Sequence, residues 1–96
     1  MRGKGKKKKT DPVALGSPFM RIPHMPVAVA RWLIDAGYSD VFQLRGRSAD
    51  SLFAEIRKVD FAAEPAVALP ALRLAVYFAE NEGSADRALL DLQAWQ

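Results

Sequence analysis

Residues 22–46 read IPHMPVAVARWLIDAGYSDVFQLRG, and this stretch decides the fold. Pro26 brings a fixed φ suited to the first position of a helix, and Gly37 suits the left-handed residue just past a helix end. Between them Val29, Ala30 and Leu33 line one face, while Ala28, Arg31 and Asp35 fall on the opposite side. Trp32 sits on the flank, where a large ring covers the edge of a core. Arg31 lies one turn from Asp35, a spacing that usually marks a solvated helix face. Beyond Gly37, Asp40 can cap a short helix through Val41, Phe42 and Leu44, which Gly46 would end.

The pattern extends both ways from this segment. Upstream, in residues 11–21 (DPVALGSPFMR), Val13, Leu15, Phe19 and Met20 call for burial, but Pro12, Gly16 and Pro18 argue against a long helix. A short turn or broken helix packed on the body is expected there. Downstream, Ser48 caps a helix whose Leu52, Phe53, Ile56 and Val59 form the stripe to be buried. Residues 60–65 (DFAAEP) connect it to the clearest helix of the chain, with Leu69, Leu72, Val76 and Ala79 on one face. Pro65 and Pro70 each suit that helix's first turn, and Gly83 closes it. Ser84 then caps a last helix with Ala85, Ala88, Leu89 and Leu92 on one face and Trp95 at its edge. No strand-like alternation and no internal repeat occurs. The expected class is all-α, with about five short helices.

Length and composition narrow the function. Ninety-six residues fit one domain, and 50% hydrophobic with 26% charged residues is an ordinary globular composition. The net charge of +3 is divided unevenly. Arg2, Lys4, Lys6, Lys7, Lys8 and Lys9 place six cations and no acid in residues 1–10. That leaves eight of the fourteen basic side chains to face all eleven acids in residues 11–96, a balance of −3. The Lys-rich segment buries too little to offset its ordering entropy and is expected to be a disordered tail. Residues 11–96 form the single helical domain.

Several classes fall away. With no cysteine there is no disulfide framework, thiol nucleophile or Cys-based zinc site, which fits a reducing cytosol, so a cytoplasmic location is expected. One histidine, His24, makes no metal site with a second. No apolar run approaches the length of a membrane span. Thr10, Asp11 and Pro12 follow the cations where a signal peptide needs an apolar run. The acids are scattered, and nucleotide-binding, metalloprotease and hydrolase motifs are absent. The expectation is a non-enzyme with no metal, cofactor, membrane partner or small-molecule substrate.

The run from Ile22 resembles a helix-hairpin-helix module, with its core at about residues 20–45. Ile22 and Pro23 match the hairpin entry and Met25 its central hydrophobe. Ala30, Leu33, Gly37 and Tyr38 match the second helix and its exit, and Val41 and Leu44 match the helix that follows. Through SADSLFAEIRK and PALRLAVYFAENEG the longer pattern is similar to a small bacterial helix-hairpin-helix family of pathogenicity-locus or mitomycin-resistance type, over about residues 20–83. The resemblance implies sequence-independent contact with a DNA backbone, made by N–H groups of the hairpin and second helix. The chain departs from the family at the two hairpin glycines, replaced by His24 and Pro26. Pro26 has no N–H to donate, so the turn reads as retained for packing, with its phosphate contact impaired or lost.

Candidate binding residues follow from both readings. The tail cations could neutralise phosphates of DNA or RNA, or serve only to keep the chain soluble. Arg21, Arg31, Arg45 and Arg47 flank the hairpin and the next turn, as a basic rim or a solvated face. His24 is either a phosphate donor or a plain exposed turn residue. Trp32, Tyr77, Phe78 and Trp95 are expected mainly in the core. Leu90 projects away from the Leu89/Leu92 stripe and, with Ala94 and Trp95, offers a patch for a protein partner or a homodimer. The leading expectation is weak, sequence-blind nucleic-acid binding; the alternative is an interaction adaptor or homodimeric scaffold.

Overall fold

The Asp11 carboxylate accepts from the backbone N–H of Ala14 at 3.2 Å and starts α1 (Pro12–Leu15), where Pro12 sits at a position whose N–H needs no partner. Gly16 ends that turn and a 3-10 turn follows at Pro18–Arg21, so the expected broken helix is present. Phe19 is buried and Met20 packs against the core, but Val13 and Leu15 stay exposed because so short a helix turns only Ala14 inward. The computed structural model describes residues 11–96; the Lys-rich segment 1–10, with its expected disorder, lies outside the described residues. Four α-helices and four 3-10 turns make up the described chain, with no strand among the described residues.

Ile22, Pro23, His24 and Met25 form a tight turn, closed by a hydrogen bond from Met25 N–H to the Ile22 carbonyl at 3.2 Å. Proline second and a positive φ third is the type II pattern. His24 holds that third place at φ +61°, the one non-glycine residue of the described chain in the left-handed region. A side chain there costs roughly 1–2 kcal/mol relative to ordinary backbone. His24→Gly relieves this strain but frees the unfolded chain, so a net gain of about 0.5 kcal/mol is expected. His24→Val, β-branched and intolerant of this φ, is expected to cost about 1–2 kcal/mol. Urea unfolding midpoints in the order Gly, His, Val check both; a Val variant as stable as the parent contradicts the assignment of strain.

Helix α2 (Val27–Asp35) begins one residue later than the sequence predicts. Pro26 is its N-cap at φ −66° and ψ 138°, and its carbonyl accepts from Val29 and Ala30. Val29, Ala30 and Leu33 are buried as expected. Gly37 follows at φ +103°, and the 3-10 turn Val41–Leu44 comes next, braced by Gln43, whose Oε1 accepts from the backbone N–H groups of Ser39 and Asp40. The Ser48 hydroxyl accepts from Ser51 N–H and starts α3 (Ala49–Val59). Leu52 and Ile56 are buried and Phe53 half-buried, but Val59 is exposed, because it is the last helical residue and the chain turns away at Asp60. Helix α4 (Pro65–Glu80) takes Pro65 in its first turn and keeps Pro70 inside, buried.

The core gathers Phe19, Ile22, Val29, Leu33, Val41, Leu44, Leu52, Ile56, Leu72 and Leu74, all essentially free of solvent, with no buried polar residue among the described residues. Helix α4 is central: it packs on α2, on α3, on the Val41–Leu44 turn and on the C-terminal segment. That segment corrects the expectation of a fifth helix. Residues 84–96 hold two 3-10 turns, Arg87–Leu89 and Leu92–Trp95, and no α-helix. The carboxylate of Asp86 accepts from Ala88 N–H, and that of Asp91 from Gln93 N–H. Each caps its own short turn, and the two caps divide a stretch whose apolar spacing alone suits one helix.

Candidate functional site

The four arginines around the Ile22–Met25 turn and the turn after α2 differ in what they hold. Arg31 of α2 grips Asp11 with two hydrogen bonds, Nε to Oδ2 at 2.8 Å and Nη2 to Oδ1 at 2.7 Å, and adds Asp35 at 3.1 Å. Arg21 pairs with Glu82 at 2.6 Å across 61 residues of sequence. Arg47 pairs with Glu55 at 2.6 Å and donates to the Tyr38 hydroxyl, which itself donates to Glu55. The Arg47 guanidinium also lies 5.6 Å from the centre of the Tyr38 ring. Arg45 alone of the four is exposed with no carboxylate partner among the described residues. Three of the four rim cations are thus engaged by the chain's own acids, and the expected basic rim reduces to Arg45 and exposed His24. The tail residues Arg2, Lys4, Lys6, Lys7, Lys8 and Lys9 lie outside the described residues.

The electrostatics follow the geometry. Chiefly the Arg31 side chain, and then the Ala14 N–H, hold the Asp11 carboxyl down at about 2 from its ordinary 3.8. The Tyr38 hydroxyl first, and Arg47 second, lower Glu55 below the usual carboxylate range. Burial and the neighbouring Glu55 push the Tyr38 phenol up. Because the folded value for Asp11 lies below the unfolded one, its stabilising contribution is complete above about pH 4 and is lost as pH falls towards 2. Asp11→Asn is therefore expected to flatten the acid limb of a stability–pH curve between those values while changing its slope little above pH 5, as read by urea midpoints. An unchanged acid limb contradicts the Asp11–Arg31 clamp.

The expected partner patch is corrected. Leu90 is half-buried and packs against the core with Leu92 and Trp95, so it does not project into solvent; only Ala94 of the three is exposed. The physical reason is the missing helix: with Leu90 in the link between two 3-10 turns, the helical facing no longer applies. Trp95 is pinned. Its Nε1 donates to the Leu89 carbonyl at 2.8 Å, its own carbonyl accepts from Arg73 at 2.8 Å, and its ring lies 5.5 Å from that of Tyr77. Trp32 and Phe78 pack against the core, as expected for aromatics at helical spacing.

Exposed apolar bulk lies elsewhere, where sequence reading did not place it. Phe61, in the α3–α4 connection, is 81% exposed, and Phe42 and Val59 are also open. The Phe61 turn is firmly held: the Asp60 carboxylate accepts from Trp32 Nε1 and from Ala62 N–H, both at 3.0 Å, and its carbonyl accepts from Ala63 N–H at 3.0 Å. An open groove of about 410 Å³ runs along the start of α4, lined by Pro65, Ala66, Leu69, Pro70 and Arg73 with Gln96. A second of about 250 Å³ lies between the start of α3, α4 and Trp95. No cluster of three or more His, Asp or Glu side chains that could hold a metal occurs among the described residues. No helix among them is long and apolar enough to cross a membrane. Compared with protein-family models, curated proteins and solved structures, the chain matched none.

Proposed function

We propose that this chain is a non-enzymatic, helix-hairpin-helix-like protein that holds the phosphate backbone of DNA or RNA, weakly and without reading sequence, through the cations of residues 2–9. The observation that carries this reading is the division of charge, six cations in residues 1–10 against a balance of −3 in residues 11–96. Polyanions are drawn to the first part and repelled by the second. The engagement of Arg21, Arg31 and Arg47 by Glu82, Asp11 and Glu55 supports it further, since a phosphate would have to displace a carboxylate already in place.

In this reading the hairpin serves the fold and contributes little to binding. Pro26 caps α2 without an N–H to offer, and the His24 side chain occupies the tip where a phosphate would approach. The helical body acts as a scaffold for the tail, fixed close to the tail's root by the Asp11–Arg31 clamp. The absence of aromatic residues from positions 2–9 leaves no platform for stacking bases, which is why binding is expected to be blind to sequence.

The test compares residues 1–96 with residues 11–96 for binding to duplex and single-stranded DNA at low and high salt. Loss of binding and of its salt dependence together in residues 11–96 is the expected result. Retained affinity in the shorter chain overturns the proposal and places a phosphate site on the body, with Arg45 and His24 the first residues to examine.

A further inference from the structure

We infer that the α3–α4 connection and the groove beside it form a docking surface for a second copy of this chain, in which Phe61 of each copy enters the groove of the other. Phe61 is an aromatic knob, 81% exposed, on a turn fixed by the four hydrogen bonds of Asp60, including the one its N–H donates to Ile56. The backbone beneath the ring is held before binding, so docking has to order only the two side-chain torsions of Phe61, and aromatic residues of this kind anchor interfaces. The groove of about 410 Å³ at the start of α4 is apolar along Pro65, Ala66, Leu69 and Pro70, with the cation Arg73 further along the helix and the polar Gln96 on its other side.

Charge selects the occupant. The knob is flanked by acids in the segment DFAAE, and Glu64, exposed at the N-cap of α4, has no ion-pair partner among the described residues. Arg73 likewise pairs with no carboxylate among them; one of its five N–H donors is taken by the Trp95 carbonyl. An aromatic ring with an acid three residues on is what an apolar groove with an arginine further along accepts. This chain carries both halves. Phe61 and Pro65 are four positions apart, at most about 14 Å of chain, so knob and receptor share one end of α4. A patch that carries both complements is self-complementary, the condition a two-fold dimer must meet.

Sedimentation equilibrium of residues 1–96, from micromolar to millimolar concentration, tests this. A mass that rises with concentration to that of a dimer is expected. Phe61→Ser, which removes the knob, and Ala66→Glu, which puts an acid into the groove against the incoming Glu64, are each expected to weaken association about 30-fold or more. Both positions are exposed, and an acid suits the first turn of a helix, so circular dichroism should show the parental helix content. A parent chain that stays monomeric at millimolar concentration overturns the inference. So does a dimer that both folded variants form as readily as the parent.

Discussion

Raising the salt from 50 to 200 mM is expected to weaken duplex binding by residues 1–96 about a thousandfold. The number comes from counterion release. Each phosphate neutralised lowers the logarithm of the binding constant with a slope of about −0.9 against the logarithm of salt, and six cations engaged together give about −5. Single strands, with a lower charge density, should show a slope nearer −4. Replacing Lys6, Lys7, Lys8 and Lys9 by Gln leaves only Arg2 and Lys4, and the duplex slope should fall to about −2 with a matching loss of affinity at low salt. Arg31→Gln, in contrast, should leave the slope almost unchanged, because Arg31 already spends its donors on Asp11 and Asp35. A steep slope that survives the four Lys→Gln substitutions would place the phosphate contacts on the body and defeat the tail reading.

The contrast between Arg31 and the tail shows what the sequence could and could not tell. The existence and order of α2, α3 and α4 are legible from apolar period and caps, but their edges are less so. Pro26 caps α2 from outside, α4 ends at Glu80 ahead of Gly83, and Leu69 and Val76 of its expected stripe are only half-buried. Ser48 caps α3, Gly37 follows α2 in the left-handed region, and the Leu33, Leu52, Ile56 and Leu72 faces all go inward. The last segment departs from its apolar spacing because two aspartates hold their own backbone, a local competition that periodicity does not register. The pairing of the rim was legible only where it is local. Arg31–Asp35 lies within one helix and could be named, whereas Asp11 is 20 residues from Arg31 and Glu82 is 61 from Arg21. Such pairs exist only once the chain has folded, and they turn a basic-looking rim into a neutral one. Phe61 was hidden for a related reason. A connection of six residues has no face, so nothing in its sequence says which side chain the turn will leave in water.

Leu33→Ala should lower stability by about 3 kcal/mol, and this loss separates the body's role from the tail's. Leu33 is fully buried on α2, among side chains of the one core, and truncation there removes both its transfer energy and the atoms that fill the space. For a domain of this size each kcal/mol is worth roughly 4–8 °C, so the midpoint of thermal unfolding should drop by about 12–24 °C. The total stability of so small a domain is only about 5–10 kcal/mol, and little margin remains. If residues 2–9 hold the phosphate backbone by charge alone, duplex affinity and its salt slope should survive in this variant, even near its unfolding midpoint, because an unfolded body still carries the six cations. If binding is lost in step with the circular dichroism signal, the folded surface is needed. The Ile22–Met25 turn, Arg45 and His24 would then have to supply contacts that the tail cannot make by itself. Measuring both signals on one heated sample decides between a charged tail that needs no particular fold behind it and an interface that the fold assembles.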